Sequence, residues 1–257
     1  MPIETKGRVR AASAPGLDLP PPFRLVTLRE VGDAFAHACT IAAQEGAGTL
    51  VHVGRFDLAE FAVVLEPEDP LRAARRAVYL GLCALGDALA AHAPPETSIT
   101  FDWPDAMRVA GGLVGGGRLA WPAGASEDAP PAWLVFGASI RIVAMGVGEA
   151  GLRPLAAALD EEGFDDLGSG RLVESFARHL MAVIDSFREK GFGEVAKSYL
   201  PRLAPEIGMR RDIDENGDLL VRRAGLETSS GEVERRSLVA ALAAPSWLDP
   251  ATGGPRA

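Results

Sequence analysis

Apolar residues recur along this chain with two periods, and the changes of period mark out its elements. In "REVGDAFAHACTIAAQEG", Val31, Phe35, Ala38, Cys39 and Ala42 fall every three or four residues and Gly46 stops the run, which predicts a helix. "TLVHV" and "FAVVLEP" follow as β-rich runs joined by "GRFDLAE". A second helix is predicted from Asp69 as N-cap and Pro70 at the first helical position, with Leu71, Ala74, Val78, Leu82, Leu85 and Leu89 on one face and "APP" at 93–95 as its stop. "SITF", "AMRVAG", "LVGGGRLAWP" and "AWLVFGASIRIVAM" read as strands, with "PAGASEDAPPA" an exposed hairpin loop between the last two. Leu172, Phe176, Leu180, Val183 and Phe187 then give a long helix face, extended by "EVAKSYL" after Gly191. Two short strands around Asn216-Gly217 follow, with "GEVERRSLVAA" a candidate third. No internal repeat is visible.

Strands interleaved with helices and followed by a β segment predict an α+β fold, a mixed sheet packed on helices with a small C-terminal β appendage. The expected organisation is a disordered or extended arm at 1–22, a main domain at 23–200, a β domain at 201–244 and a disordered tail at 245–257.

Composition narrows the function. A net charge of −9 weighs against nucleic acid, whose phosphates demand a basic face. No apolar run approaches the roughly 18 residues of a membrane span, and the start has no apolar signal core, so the reading is a cytoplasmic protein without a membrane partner. Cys39 and Cys83 lie in helical patterns as reduced core thiols.

Several motifs fail on their chemistry. "GAGTLVHVG" and "GGLVGGG" lack both Gly-x-Gly-x-x-Gly and Gly-Lys-Ser/Thr, so their glycines read as turns and close packing. "DIDENGDLLVRR" has Asp212, Asp214, Asn216 and Gly217 at calcium-loop positions, but Arg223 stands where a bidentate Glu is required. The four histidines do not cluster and no Cys/His spacing suits zinc, so no metal site is expected; His52, beside "VGRF", is the one to watch.

"DWPDAMRVAGGL" resembles the "KWPND…KLAGIL" signature of the biotin protein ligase and lipoate ligase superfamily. In order along the chain, "VHVGRFDLAEFAVVLEP" resembles that family's Gly-Arg loop and core strand, and "WLVFGASIRIVAM" its "VIGIGINV" strand. "FREKGFGEVAKSY" is similar to the helix after it, and "DIDENGDLLVR" to the "GIDEDGALLV" hairpin of the C-terminal domain. The likeness covers about residues 24–224. It implies a class II synthetase-like catalytic fold that joins a biotin- or lipoate-like carboxylic acid to ATP, with Mg, and passes the acyl group to a lysine of a biotinyl or lipoyl carrier domain. Homodimers through the sheet are common in the family. Its DNA-binding members carry an N-terminal winged helix, for which the arm here is too short.

Carried over by position, the resemblance makes Asp102 and Arg108 the candidate catalytic pair and Gly54, Arg55, Trp103, Pro104, Gly111, Gly112 and Gly137 the candidate ligand- or nucleotide-binding residues. Asp102 replaces the signature lysine, Asp105 the asparagine and Ala106 the aspartate, while Gly54 and Arg55 are all that remains of the Gly-Arg loop. Reversing a charge about 4 Å from a phosphate turns an attraction of about 4 kcal/mol into a repulsion. Two readings therefore stand together: a diverged ligase still activating a small acid through Arg108 and Arg55, and a non-catalytic module whose cleft binds a small ligand or a carrier domain. An ATP-independent acyltransferase is weaker, since neither cysteine lies on a site loop. For Asp105 the reading is a turn-capping carboxylate.

Overall fold

A computed structural model describes residues 16–29, 32–145, 155–223 and 233–256. Its centre is a seven-stranded sheet in the order β1-β2-β3-β7-β6-β5-β4. The strands are β1 (Arg24–Leu28), β2 (Thr49–Val53), β3 (Leu58–Leu65), β4 (Ile99–Asp102), β5 (Ala106–Val109), β6 (Gly112–Ala120) and β7 (Leu134–Arg141). β1 runs parallel to β2 and the other neighbours are antiparallel. Both faces of the sheet are covered, which is why β2, β3 and β7 read as near-continuous apolar runs.

One face carries the main core. Helices α3 (Ala77–Ala90), α4 (Ser169–Lys190) and α5 (Phe192–Tyr199) pack there, with Phe61 and Phe136 of the sheet both against Phe176 of α4. The predicted apolar faces of α3 and α4 are the buried ones. The other face is covered over half its width by α1 (Ala34–Glu45), whose buried residues Ala34, Ala38 and Ala42 are small enough for the helix to lie close to β2, β3 and β7. Val31, placed on that face from the sequence, lies outside the described residues. A three-stranded antiparallel sheet of β8 (Met209–Ile213), β9 (Leu219–Arg223) and β10 (Glu234–Arg236) forms the appendage. Asp214 there accepts the backbone N–H groups of Asn216 and Asp218, so its carboxylate serves the hairpin turn. Among the described residues no His/Cys/Asp/Glu group could hold a metal, and no helix is long and apolar enough to cross a membrane.

Several expectations are corrected. The helix from Asp69 is two helices, α2 (Leu71–Ala74) and α3, and Pro70 rather than Asp69 is the N-cap. Asp69 pairs with Arg76 instead. The break falls where Arg75 turns inward, its guanidinium over the Trp121 ring and bonded to Glu127. The loop between β6 and β7 reaches the same point, Ala129 O accepting the Leu71 N–H at 3.0 Å. β1 was not anticipated. "LVAAL", read as part of a strand, is helix α6 (Leu238–Leu242), because Ser237 caps it through the Ala240 N–H.

The termini differ most. Residues 16–22 lie along α4, with Leu17 against Gly170 and the Asp18 N–H on Glu174. Residues 245–256 are not a disordered tail: Trp247 is 1% exposed and Pro255 is buried. The two cysteines are free, and burial pushes the Cys83 thiol up to about 12, consistent with an inert core group.

Candidate functional site

The signature turn joins β4 to β5 and brings Asp102 opposite Ala106. Arg108 returns along β5 and donates from Nε to Asp102 Oδ2 at 2.7 Å. Its Nη1 donates to the carbonyls of Gly111 and Leu155 at 3.0 and 3.4 Å. Asp102, Arg108, Gly111 and Gly112 thus share one corner of the sheet, with Gly112 packed on Ala157.

Trp103 and Pro104 sit beside them but serve the core. Trp103 Nε1 donates to the Tyr79 hydroxyl at 2.9 Å, Tyr79 donates on to Gly217 O at 2.6 Å, and Tyr199 donates to Pro104 O at 2.8 Å. Burial raises both tyrosines well above the usual phenol range, so they stay protonated donors. Tyr79→Phe leaves the Trp103 N–H and the Gly217 carbonyl without this partner, and should cost about 2 kcal/mol in denaturant unfolding.

Gly54 and Arg55 lie in the β2–β3 loop, away from that corner. Arg55 grips Asp57 through Nε and Nη2 at 2.9 and 2.7 Å, and this guanidinium holds the Asp57 carboxyl below its ordinary value. Gly137, at the middle of β7, lies under the Phe35 ring. His52 pairs with Phe61 on the face opposite α1, where burial lowers its pKa and keeps it neutral. The sequence-derived residues therefore do not gather in one place.

Around Gly137, side chains that no motif in the sequence singles out come together. Strand register sets Glu60, Ser139 and Gly116 in a row across β3, β7 and β6, and alternation puts Gly137 and Arg118 in the next row. This is the α1 face, since Glu60 Oε1 accepts the Ala34 N–H at 2.9 Å and Phe35 covers Gly137. Arg118 lies 4.0 Å from the Phe35 ring centroid, a cation–π contact, and no ion pair to it is seen among the described residues. Burial raises the Glu60 pKa; the Ala34 N–H, Arg55 and Arg118 oppose this and Asp33 adds to it. The Ser139 hydroxyl and both Asp105 carboxylate oxygens are buried without hydrogen-bond partners among the described residues. Burial lifts Asp105 from 3.8 to about 7, against the pull of its own backbone and the Trp247 indole. Asp105 is thus a buried acid rather than a turn-capping carboxylate.

The C-terminal segment closes the row. Trp247 lies so close over Gly116 that a methyl group there would meet the indole nitrogen at 2.5 Å, and its N–H donates to Gly117 O at 3.1 Å. Arg141, one row below Ser139, donates from Nη2 to the carbonyls of Pro255 and Arg256 at 2.8 and 3.0 Å. Glu60, Arg118 and Ser139 thus line a seam between the N-terminus of α1 and this segment. The arrangement offers a cation, a hydroxyl and two carboxyl groups of raised pKa, all suited to holding a small polar molecule.

The model of the biotin/lipoate A/B protein ligase family matches residues 19–201. The chain belongs to that family. Among solved structures, this family member is similar to a biotin protein ligase-like protein of unknown function from Silicibacter sp. tm1040, at 27% identity and TM-score 0.71 over 84% of this chain and 96% of that one. It is also similar to the biotin protein ligase of Aquifex aeolicus, at 16% and 0.60 over 83% and 99%. The biotin protein ligase of Leishmania major in complex with biotinyl-5-AMP gives 16% and 0.52 over 85% and 100%. The last two likenesses show the fold alone. No curated protein matches the chain in sequence. Within the ligase fold, the residues missed from the sequence are Glu60, Arg118, Ser139 and Trp247. The one signal available was Arg118, a lone cation following three glycines.

Proposed function

We propose that this chain is a small-ligand binding module on the biotin/lipoate ligase fold, holding a carboxylic acid on the Arg118 face without activating it. The observation that carries this reading is the Asp102–Arg108 pair at 2.7 Å. Acid activation on ATP develops negative charge at a phosphate and needs cations and N–H donors aimed at it. Here the signature position is an anion, and Arg108 beside it is already neutralised and bonded to two carbonyls. Arg55 is likewise held by Asp57. These residues do not fit a triphosphate with its metal ion. Arg118 keeps a guanidinium for a carboxylate, the Ser139 hydroxyl lies on the same face, and it and the Asp105 carboxyl beside the Trp247 indole are unpartnered among the described residues.

The test pairs two measurements on the purified protein with biotin, lipoate, octanoate and 6-aminohexanoate. Calorimetric titration should show binding of at least one acid, weakened about tenfold to a hundredfold in Arg118→Ala through loss of a charge-assisted hydrogen bond. Acid-dependent ATP–pyrophosphate exchange should stay at background with all four. Exchange above background that disappears in Arg108→Ala overturns the proposal in favour of a working ligase.

A further inference from the structure

We propose that residues 245–256 are a displaceable strap, a resident occupant of the acid-binding face that a bound acid must push aside. The inference rests on the reading that this face takes a small acid, and adds how access to it is controlled.

Four observations carry it. The strap lies on the face in question, with Trp247 over Gly116, Gly254 beside Leu58, and Pro255 and Arg256 held by Arg141. Gly116, Leu58 and Arg141 surround Ser139 in the sheet register.

The strap is also internally closed. Asp249 N–H donates to Gly254 O, Gly253 N–H to Asp249 O and Arg256 N–H to Trp247 O, at 2.9, 2.8 and 2.8 Å. The Asp249 carboxylate accepts from the Ala251 N–H and the Thr252 hydroxyl. Its described hydrogen bonds to the sheet are the Trp247 indole on Gly117 and the Arg141 fork. It can therefore lift away as a unit with its own bonds intact. The link to α6 permits this, since Ala243, Ala244 and Ser246 are exposed.

The fourth observation is that the strap is an imperfect occupant. Buried polar groups in a finished core are almost always hydrogen-bonded. Beneath this strap both Asp105 oxygens and the Ser139 hydroxyl have no hydrogen-bond partner among the described residues. A permanent structural element would leave such groups satisfied or apolar. An entering molecule with a carboxylate for Arg118 and N–H or O–H donors for Asp105 and Ser139 would make full hydrogen bonds where the indole, already donated to Gly117 O, exerts only a pull on Asp105, and that difference is what would drive the strap out.

The test titrates biotin, lipoate, octanoate and 6-aminohexanoate into the full chain, into a chain ending at Ala244, and into full-length Trp247→Ala. When the binding-competent state is a minor one, apparent affinity is reduced by its fraction, so removing the strap should tighten binding at least about tenfold. Trp247→Ala should tighten it in the same direction, which covers a truncated chain that fails to fold. Hydrogen exchange on the unaltered protein gives the third readout: saturation with the bound acid should speed exchange of the Gly253 and Arg256 amides and leave those of α3 unchanged. Equal affinity for full chain and variants, or strap amides that keep or gain protection, overturns the strap while leaving acid binding in place. Absence of binding to every form overturns the acid-binding reading and the strap's displacement with it.

Discussion

Asp105→Asn should stabilise the protein by about 4 kcal/mol near pH 8 and by almost nothing near pH 4. The Asp105 side chain is fully buried, both its oxygens lack hydrogen-bond partners among the described residues, and burial lifts its pKa from 3.8 to about 7. In the unfolded chain the same carboxyl ionises near its ordinary value. Between about pH 4 and pH 7 the folded state therefore holds a proton that the unfolded state has released. Stability falls with rising pH wherever the folded state binds more protons, so it declines across that window and is level above it. The gap of about three pKa units, at about 1.4 kcal/mol each, sets the size. Asparagine keeps the shape and removes the titration. Denaturant unfolding from pH 4 to pH 8 on both proteins checks this: the wild type should lose stability across the window relative to the variant. Parallel curves would mean that Asp105 titrates alike in the folded and unfolded chains.

Which parts of this molecule were legible in the sequence follows from where each element finds its partners. α4 buries one stripe and α3 is buried nearly all round, yet in both the large apolar residues keep helical spacing, so Val78, Leu82 and Leu85, and Leu172, Phe176 and Leu180, announce themselves. The α+β class and the family followed from such runs together with "DWPDAMRVAGG". β1 is five residues with a half-exposed pattern and takes its identity from pairing with β2. The α2–α3 break is invisible because Arg75 interrupts no apolar period; Glu127 and Trp121, some fifty residues on, draw it inward.

Trp247 misleads in the same way. A lone aromatic among Pro, Ala and Gly reads as disorder, and its burial depends on contacts such as those with Gly116 and Gly117 on a distant strand. At the signature turn the sequence correctly placed Asp102 and Arg108 together, yet it offered Trp103 to a ligand when Tyr79 draws it into the core. The Glu60, Ser139 and Gly116 row is a fact of register across three strands, and a shift of one residue in any of them would turn that strand's side chains to the other face.

Gly115→Ala tests that register directly and should cost about 4 kcal/mol, combining backbone strain with a clash in a packed sheet. Gly115 sits at φ +151, a conformation that L side chains rarely adopt. A methyl group added there would lie 1.9 Å from the Ser139 carbonyl oxygen and 2.9 Å from its carbon. Both obstacles are backbone, so no rotamer change relieves them. β6 must move off β7, and the position is sensitive because the β5–β6 pairing already shifts register between Met107 and Arg108. Moving β6 carries Gly116 and Arg118 away from Ser139 and Gly137, and loosens the Gly117 N–H from Asp105 O. Gly111→Ala is the matched control: its φ is +88, but nothing lies within 4 Å of the added methyl, so the cost should be only the left-handed backbone penalty of about 1 kcal/mol. Urea unfolding separates the two. If both variants lose the same small amount, β6 tolerates displacement. If Gly115→Ala alone is severely destabilised and any folded fraction no longer binds the acid that the wild type binds, the register that aligns Glu60, Ser139 and Arg118 is what builds the site.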